Sequence, residues 1–202
     1  MTSLILASGN AGKLRELAAL LSPMGFDLRP QSAFGIETPP ETGSTFVENA
    51  LLKARHAAAL SSCIALADDS GIEVDALGGR PGVQSARYAG ENASDEDNLQ
   101  KMLLELRDVP PVKRTARFQC VIVLVRDAND PEPLVARGTW EGHIAAKPRG
   151  AGGFGYDPIF LPDGFNFTAA QVSAAVKNAE SHRAQALKVL LASLKRSGRI
   201  VP

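Results

Sequence analysis

Apolar positions fall into three kinds of run along this chain. Two are short and unbroken, Leu4 to Ala7 and Cys63 to Ala67, and read as buried strands. Others alternate. Residues 114–126 put Ala116, Phe118, Cys120, Ile122 and Leu124 on one side and predict a long strand. Leu134 to Ile144 predicts its return after the turn Asn129-Asp130-Pro131-Glu132-Pro133, which makes the sheet mixed. Phe26 to Pro30 and Ile159 to Leu161 read as further short strands. The rest recur at helical spacing. Leu14, Leu17, Ala18 and Leu21 predict a first helix, closed by Pro23 and Gly25. A second follows Ser44 or Thr45, with Glu48 as capping-box partner, and carries Asn49 and Lys53 on one face. A third opens at Ser94, and a last one runs from about Ala174 to Lys195. Strands and helices interleaved in this way predict an α/β fold.

Composition narrows the picture. The 202 residues are 45% hydrophobic and suit one globular domain, residues 1–202, with no internal repeat or linker. Lys plus Arg and Asp plus Glu are 22 each, so a general nucleic-acid binder is not expected. Cys63 and Cys120 lie in apolar runs with no C-x-x-C spacing and read as two reduced, buried thiols. The first residues lack the basic and apolar regions of a signal peptide, and no apolar stretch approaches the ~20 residues that cross a membrane. A soluble cytoplasmic protein is expected.

The candidate chemistry centres on Ala67-Asp68-Asp69-Ser70-Gly71. An apolar run delivers two adjacent carboxylates and then what reads as a turn, at the sheet edge where α/β proteins bind ligands. Adjacent carboxylates repel unless a positive group sits beside them, which suggests a divalent metal with one acid free as base. A polar turn accounts for Asp, Ser and Gly equally well. Ser8-Gly9-Asn10-Ala11-Gly12, between the first strand and helix, aims backbone N–H groups at an anion, with Lys13 at the helix entrance. It is not a Walker A loop. The glycine-rich stretch Gly150 to Pro158 lets backbone approach a ligand, and Phe154 and Tyr156 offer rings on which a flat base stacks. Lys177, Ser181, His182 and Arg183 cluster before the apolar face of the last helix begins. From spacing alone Lys53 reads as a solvated lysine, Arg87 equally as a phosphate ligand or a surface charge, and Arg114 and Arg117 as surface or interface charges.

Taken together, S-G-N-A-G-K (Ser8 to Lys13), E-T-G-S-T-F-V-E-N-A-L-L-K-A (Glu41 to Ala54), A-D-D-S-G (Ala67 to Gly71), P-G-V-Q-S-A-R-Y-A-G (Pro81 to Gly90), G-G-F-G-Y-D-P-I-F (Gly152 to Phe160) and S-H-R (Ser181 to Arg183) resemble the inosine triphosphate pyrophosphatase family, in its bacterial dITP/XTP pyrophosphatase branch. The resemblance runs nearly end to end. It departs near the C-terminus, where Gln171, Ala175, Glu180 and Ala184 replace the usual residues around Lys177, His182 and Arg183 without removing them.

The resemblance implies an elongated mixed sheet flanked by helices, with two lobes and a central cleft. It implies a Mg²⁺-dependent hydrolase, usually a homodimer, that cleaves dITP, ITP and XTP to monophosphate and pyrophosphate. A relative acting on modified pyrimidine triphosphates is the nearest competitor. Carried over by motif, Asp69 is proton acceptor and metal ligand, Glu41 a second ligand and Asp68 a supporting one. Ser8, Gly9, Asn10, Ala11, Gly12, Lys13 and Ser70 hold the triphosphate, with Lys53 a further substrate contact. Phe154, Gly155, Tyr156, Asp157, Lys177, His182 and Arg183 hold base and sugar. Arg183 and His182, as donors, suit the 6-oxo group of hypoxanthine and xanthine and oppose adenine.

Overall fold

The computed structural model describes residues 2–198. Six strands form one mixed α/β sheet in the order β2-β1-β3-β4-β5-β6: β1 Thr2–Leu6, β2 Phe26–Pro30, β3 Ala65–Val74, β4 Thr115–Val125, β5 Leu134–Ile144 and β6 Phe160–Pro162. β1 pairs parallel with β2 and with β3, whereas β5 and β6 are antiparallel. The helices are α1 Ala11–Leu21, α2 Phe46–Ser61, α3 Asp95–Glu105, α4 Ala174–Glu180 and α5 His182–Ser197.

The chain resolves into two compact units. Of the described residues, unit 1 comprises 2–69, 120–138 and 183–198; unit 2 comprises 70–119 and 139–182. In unit 1 both faces of the sheet are covered, and strand periodicity assigns each side chain to its face. Leu4, Leu6, Leu66, Cys120, Ile122 and Leu124 pack with Leu17 and Leu21 of α1 and Leu187, Leu190 and Leu194 of α5. Their neighbours Ile5, Ala7, Ala65, Ala67, Val121, Val123 and Val125 pack with Ala50, Ala54, Ala57 and Ala58 of α2. The small alanine stripe lets α2 lie close to the strands. Unit 2 has its own core, in which Ile72 and Val74 meet Leu99, Met102, Leu106, Phe118, Trp140 and Phe160.

Local signals fix the helix starts. Thr45 caps α2 and Ser94 caps α3, each in a capping box, with Glu48 and Asp97 as partners. Gly25, at φ 83°, turns the chain after α1 into β2.

Two expectations are corrected. The chain does not turn after the two acids: β3 continues through Asp68, Asp69, Ser70 and Gly71 to Val74, because Ile72 and Val74 are drawn into the core of unit 2. Turn propensity yields to that burial. The last helix is interrupted at Ser181, whose backbone is extended at φ −63° and ψ 157° and closes α4 through its N–H to the Lys177 carbonyl at 3.0 Å. Lys177 and Ser181 therefore do not share one helical face.

The β4–β5 connection is stapled by Asp130, which is buried. Its carboxylate accepts from Arg126 Nη2 at 2.6 Å, Arg126 N–H at 2.9 Å and Glu132 N–H at 3.0 Å. The Arg126 guanidinium first, and then these backbone N–H groups, hold the carboxyl far below its ordinary 3.8. Its contribution to stability is fully present above the unfolded value and is lost as pH falls through the folded one. Asp130→Asn is therefore expected to lower stability most at neutral pH. The deficit should narrow as the medium is acidified below 3.8, which urea unfolding across pH measures.

Candidate active site

Because β3 is extended through the acid pair, Asp68 and Asp69 point to opposite faces of the sheet. Asp69 has the parity of Ala65 and Ala67 and faces α2. Asp68 has the parity of Leu66 and faces α1 and α5. Each acid is given its own lysine.

On the α2 face, Lys53 Nζ donates to Asp69 Oδ1 at 2.9 Å and to Glu41 Oε1 at 2.6 Å. Asn49, one turn earlier on α2, donates through Nδ2 to Asp69 Oδ2 at 3.3 Å. Lys53 is 4% exposed, so it is an interior cation and not the solvated lysine that spacing suggested. Burial alone would lower the Lys53 ammonium, but the fields of Asp69, Asp68 and Glu41 outweigh it and hold it above its ordinary value. Burial pushes the Asp69 carboxyl up. Lys53 pulls it back and the nearby Glu41 carboxylate pushes it up again, leaving it above the usual carboxylate range. A carboxylate of raised proton affinity, held against a permanent cation, is equipped to take a proton.

On the other face, Asp68 is completely buried and its Oδ2 meets Lys13 Nζ at 3.0 Å and Arg183 Nε at 3.3 Å. Arg183 Nη1 also donates to Glu16. One expectation changes here. Asp68 lies across the sheet from Asp69 and Glu41, and among the described residues the three acids do not form one metal cluster. Arg183 is 1% exposed and bonds Asp68 and Glu16 from the start of α5. Asn10 Oδ1 accepts from Lys13 N–H at 3.0 Å and Ser8 Oγ from Asn10 N–H at 3.2 Å, while Gly9, Asn10 and Ala11 are exposed.

Unit 2 holds the remaining candidates, which include Ser70 on β3. Asp157 organises the glycine loop. Its Oδ2 accepts from Phe154 N–H at 2.8 Å and from Lys177 Nζ at 2.6 Å, and Lys177 stands over the Phe154 ring at 4.9 Å. Gly153, at φ 75°, passes so close to the Asp157 carboxylate that a Cβ would strike it. Gly155 N–H donates to Asp95 Oδ2 at 2.7 Å. Tyr156 does not present a stacking face: its ring belongs to the core and its hydroxyl donates to the Ser85 carbonyl at 2.8 Å. Phe154 is half-buried, with the Lys177 ammonium over its ring. The His182 ring is buried, stacked on Phe118 with centroids 4.8 Å apart. Arg87 pairs with the exposed Glu91, Arg114 is buried on the Val109 carbonyl, and Arg117 pairs with Asp75 and Glu141.

Sequence reasoning left Asn49, Glu16 and Asp95 outside the site. Asn49 had a signal in its four-residue spacing to Lys53, and Glu16 in its three-residue spacing from Lys13. Asp95 had none beyond its place in the first turn of α3.

Metal binding can be tested on the donor set. Glu41 and Asp69 converge on one ammonium, so their oxygens already surround a point that holds positive charge, and the Glu41 side chain is 23% exposed. Among the described residues no cluster of three or more His, Cys, Asp or Glu forms a ready cage. Two carboxylates without sulphur or nitrogen fit a hard cation of the kind that completes its shell with water and phosphate oxygens.

Fold and site together define an α/β enzyme that sets a buried carboxylate, a lysine and a second acid at one sheet face. The Ham1 family profile matches residues 4–193, and the chain belongs to that family. It is 56% identical to the dITP/XTP pyrophosphatase of Shigella flexneri over 195 residues, covering 96% of this chain and 99% of the relative. Identity to the dITP/XTP pyrophosphatase of Escherichia coli strain K12 is 54% over the same coverage. Among solved structures, a HAM1 protein from Coxiella burnetii superposes with TM-score 0.88 at 49% identity, covering 97% of this chain and all of that one. The Staphylococcus aureus Ham1 protein gives 0.84 at 41% identity, again over 97% of this chain and all of the other.

Proposed function

We propose that this chain hydrolyses the non-standard purine nucleoside triphosphates dITP, ITP and XTP to the monophosphate and pyrophosphate. The observation that carries the reading is Asp69: a buried carboxylate of raised proton affinity, bonded to Lys53 and sharing that cation with Glu41. Asp69 takes the proton of the water that attacks the α-phosphorus. Lys53 keeps Asp69 oriented and limits its proton affinity, so the proton can be passed on after the step. Lys13 and the N–H groups that open α1 neutralise phosphate charge, with Asp68 holding Lys13 at the loop. Glu41 and Asp69 would hold Mg²⁺, which when bound supplies charge neutralisation to the phosphates and the leaving pyrophosphate.

Phe154 supplies the ring for the base, and Lys177, which can only donate, suits a 6-oxo group and opposes the 6-amino group of adenine. A donor facing a donor leaves buried groups unpaired at about 1–3 kcal/mol each, roughly tenfold or more in selectivity. No helix among the described residues is long and apolar enough to cross a membrane. Balanced charge supports action on free nucleotides and not on nucleic acid. A homodimer working in the cytoplasm completes the reading.

The test is product analysis with ITP, XTP, dITP, dUTP, ATP and GTP, with and without Mg²⁺, in ¹⁸O-labelled water. Pyrophosphate is expected from the first three, with the label in the monophosphate and loss of turnover on chelation. Release of orthophosphate, or label in the pyrophosphate, would place the attack at another phosphorus.

A further inference from the structure

Asn49 is fully buried, and both ends of its amide are used. Nδ2 donates to Asp69 Oδ2 at 3.3 Å, and Oδ1 accepts from the Gly43 N–H at 2.8 Å. Gly43 closes the segment that carries Glu41 toward Lys53. A Cβ at Gly43 would come within 2.7 Å of both Asn49 Oδ1 and Glu48 Cβ, so the segment packs directly on this amide. The first turn of α2 is fixed independently by the Thr45–Glu48 capping box. Asp69 is thus gripped at both oxygens, one by Lys53 and the other by Asn49, and the second grip also anchors the strand of chain that bears Glu41.

We propose that Asn49 is a positioning residue, which fixes the plane of the Asp69 carboxylate and ties it to the Glu41 segment so that both acids are presented together. The inference rests on the hydrolytic reading given above. Asn meets the need for a chemical reason. A short amide supplies one acceptor and a donor from the same rigid plane, whereas Asp supplies acceptors only and would set a like charge against Asp69.

That difference separates the two halves of the role. Asn49→Asp keeps the acceptor for Gly43 and removes the donor to Asp69; Asn49→Ala removes both. In both variants kcat for pyrophosphate release from ITP is expected to fall about 10–100-fold with little change in KM, the effect typical of losing an orienting partner. Amide exchange read by NMR supplies an activity-free check. Gly43 should stay protected in Asn49→Asp and exchange freely in Asn49→Ala, with the Glu48 amide protected in both. Wild-type kcat in folded Asn49→Asp overturns the proposal. Should that variant not fold, wild-type kcat in Asn49→Ala overturns it in its place, as does unchanged Gly43 protection there. A wild-type enzyme that releases no pyrophosphate defeats the hydrolytic reading and this inference with it, whereas an active wild type beside a fully active Asn49→Asp defeats the inference alone.

Discussion

Asp69→Asn is expected to lower kcat for pyrophosphate release from ITP by roughly 10²–10⁴-fold, the range that a positioned general base supplies. The substitution keeps the shape of the side chain and removes its ability to take a proton. Stability should hardly move. Burial has raised the Asp69 carboxyl, so its ionised form is costly in the folded state at neutral pH and is relieved as pH falls. Removing the charge removes that cost. Against it stands the lost attraction to Lys53, which keeps Glu41 at 2.6 Å. Melting temperature and ITP binding should therefore stay close to wild type while turnover collapses. Stability lost in step with activity would mean that Asp69 is mainly a structural ion-pair partner.

Arg183→Met should behave in the opposite way. Arg183 is almost completely buried between Asp68 and Glu16, and Asp68 has no exposed surface. Removing the guanidinium leaves Asp68 with Lys13 at 3.0 Å and takes away the partner of Glu16, and breaking such buried pairs costs about 3–5 kcal/mol. For a chain of this size that corresponds to a fall in Tm of roughly 6–20 °C. Neutralising Asp68 as well, in Asp68→Asn/Arg183→Met, should recover part of the loss, because a neutral pair carries no buried charge. The ITP-to-ATP preference of whatever protein folds should be unchanged. A stable Arg183→Met enzyme with altered base preference would restore Arg183 to the base-reading role that its neighbourhood in sequence suggests.

The parts of this molecule that were legible in the sequence are those decided locally. The capping box with Glu48, which the structure places at Thr45, the helix start at Ser94, the Gly25 turn and the alternation in β4 each depend on residues a few positions apart, and the structure has them where the pattern puts them. What was not legible depends on partners far along the chain. Asp-Asp-Ser-Gly reads as a turn until Ile72 and Val74 find the core of unit 2. The stretch around Ser181 is flanked by good helix formers, and only the bend in the backbone divides α4 from α5.

The site shows the same division. The loop from Ser8 to Lys13 and the acid at Asp69 announce themselves by motif. The environment of Lys53 is made by Glu41 and Asp69, twelve and sixteen residues away, so its burial could not be read from helical spacing. Tyr156 carries a functional-looking ring that tertiary packing places in the core of unit 2.

The central claim is that one strand gives two neighbouring acids different work: Asp69 reacts, and Asp68 anchors Lys13 and Arg183. The most direct measurement is kcat on ITP and Tm in parallel for Asp68→Asn and Asp69→Asn. The account predicts a crossed result, with turnover lost and Tm kept in Asp69→Asn, and Tm lowered with the larger share of turnover kept per folded molecule in Asp68→Asn. Equal loss of turnover in both variants, with both folds intact, would contradict it and return the pair to a single shared metal site.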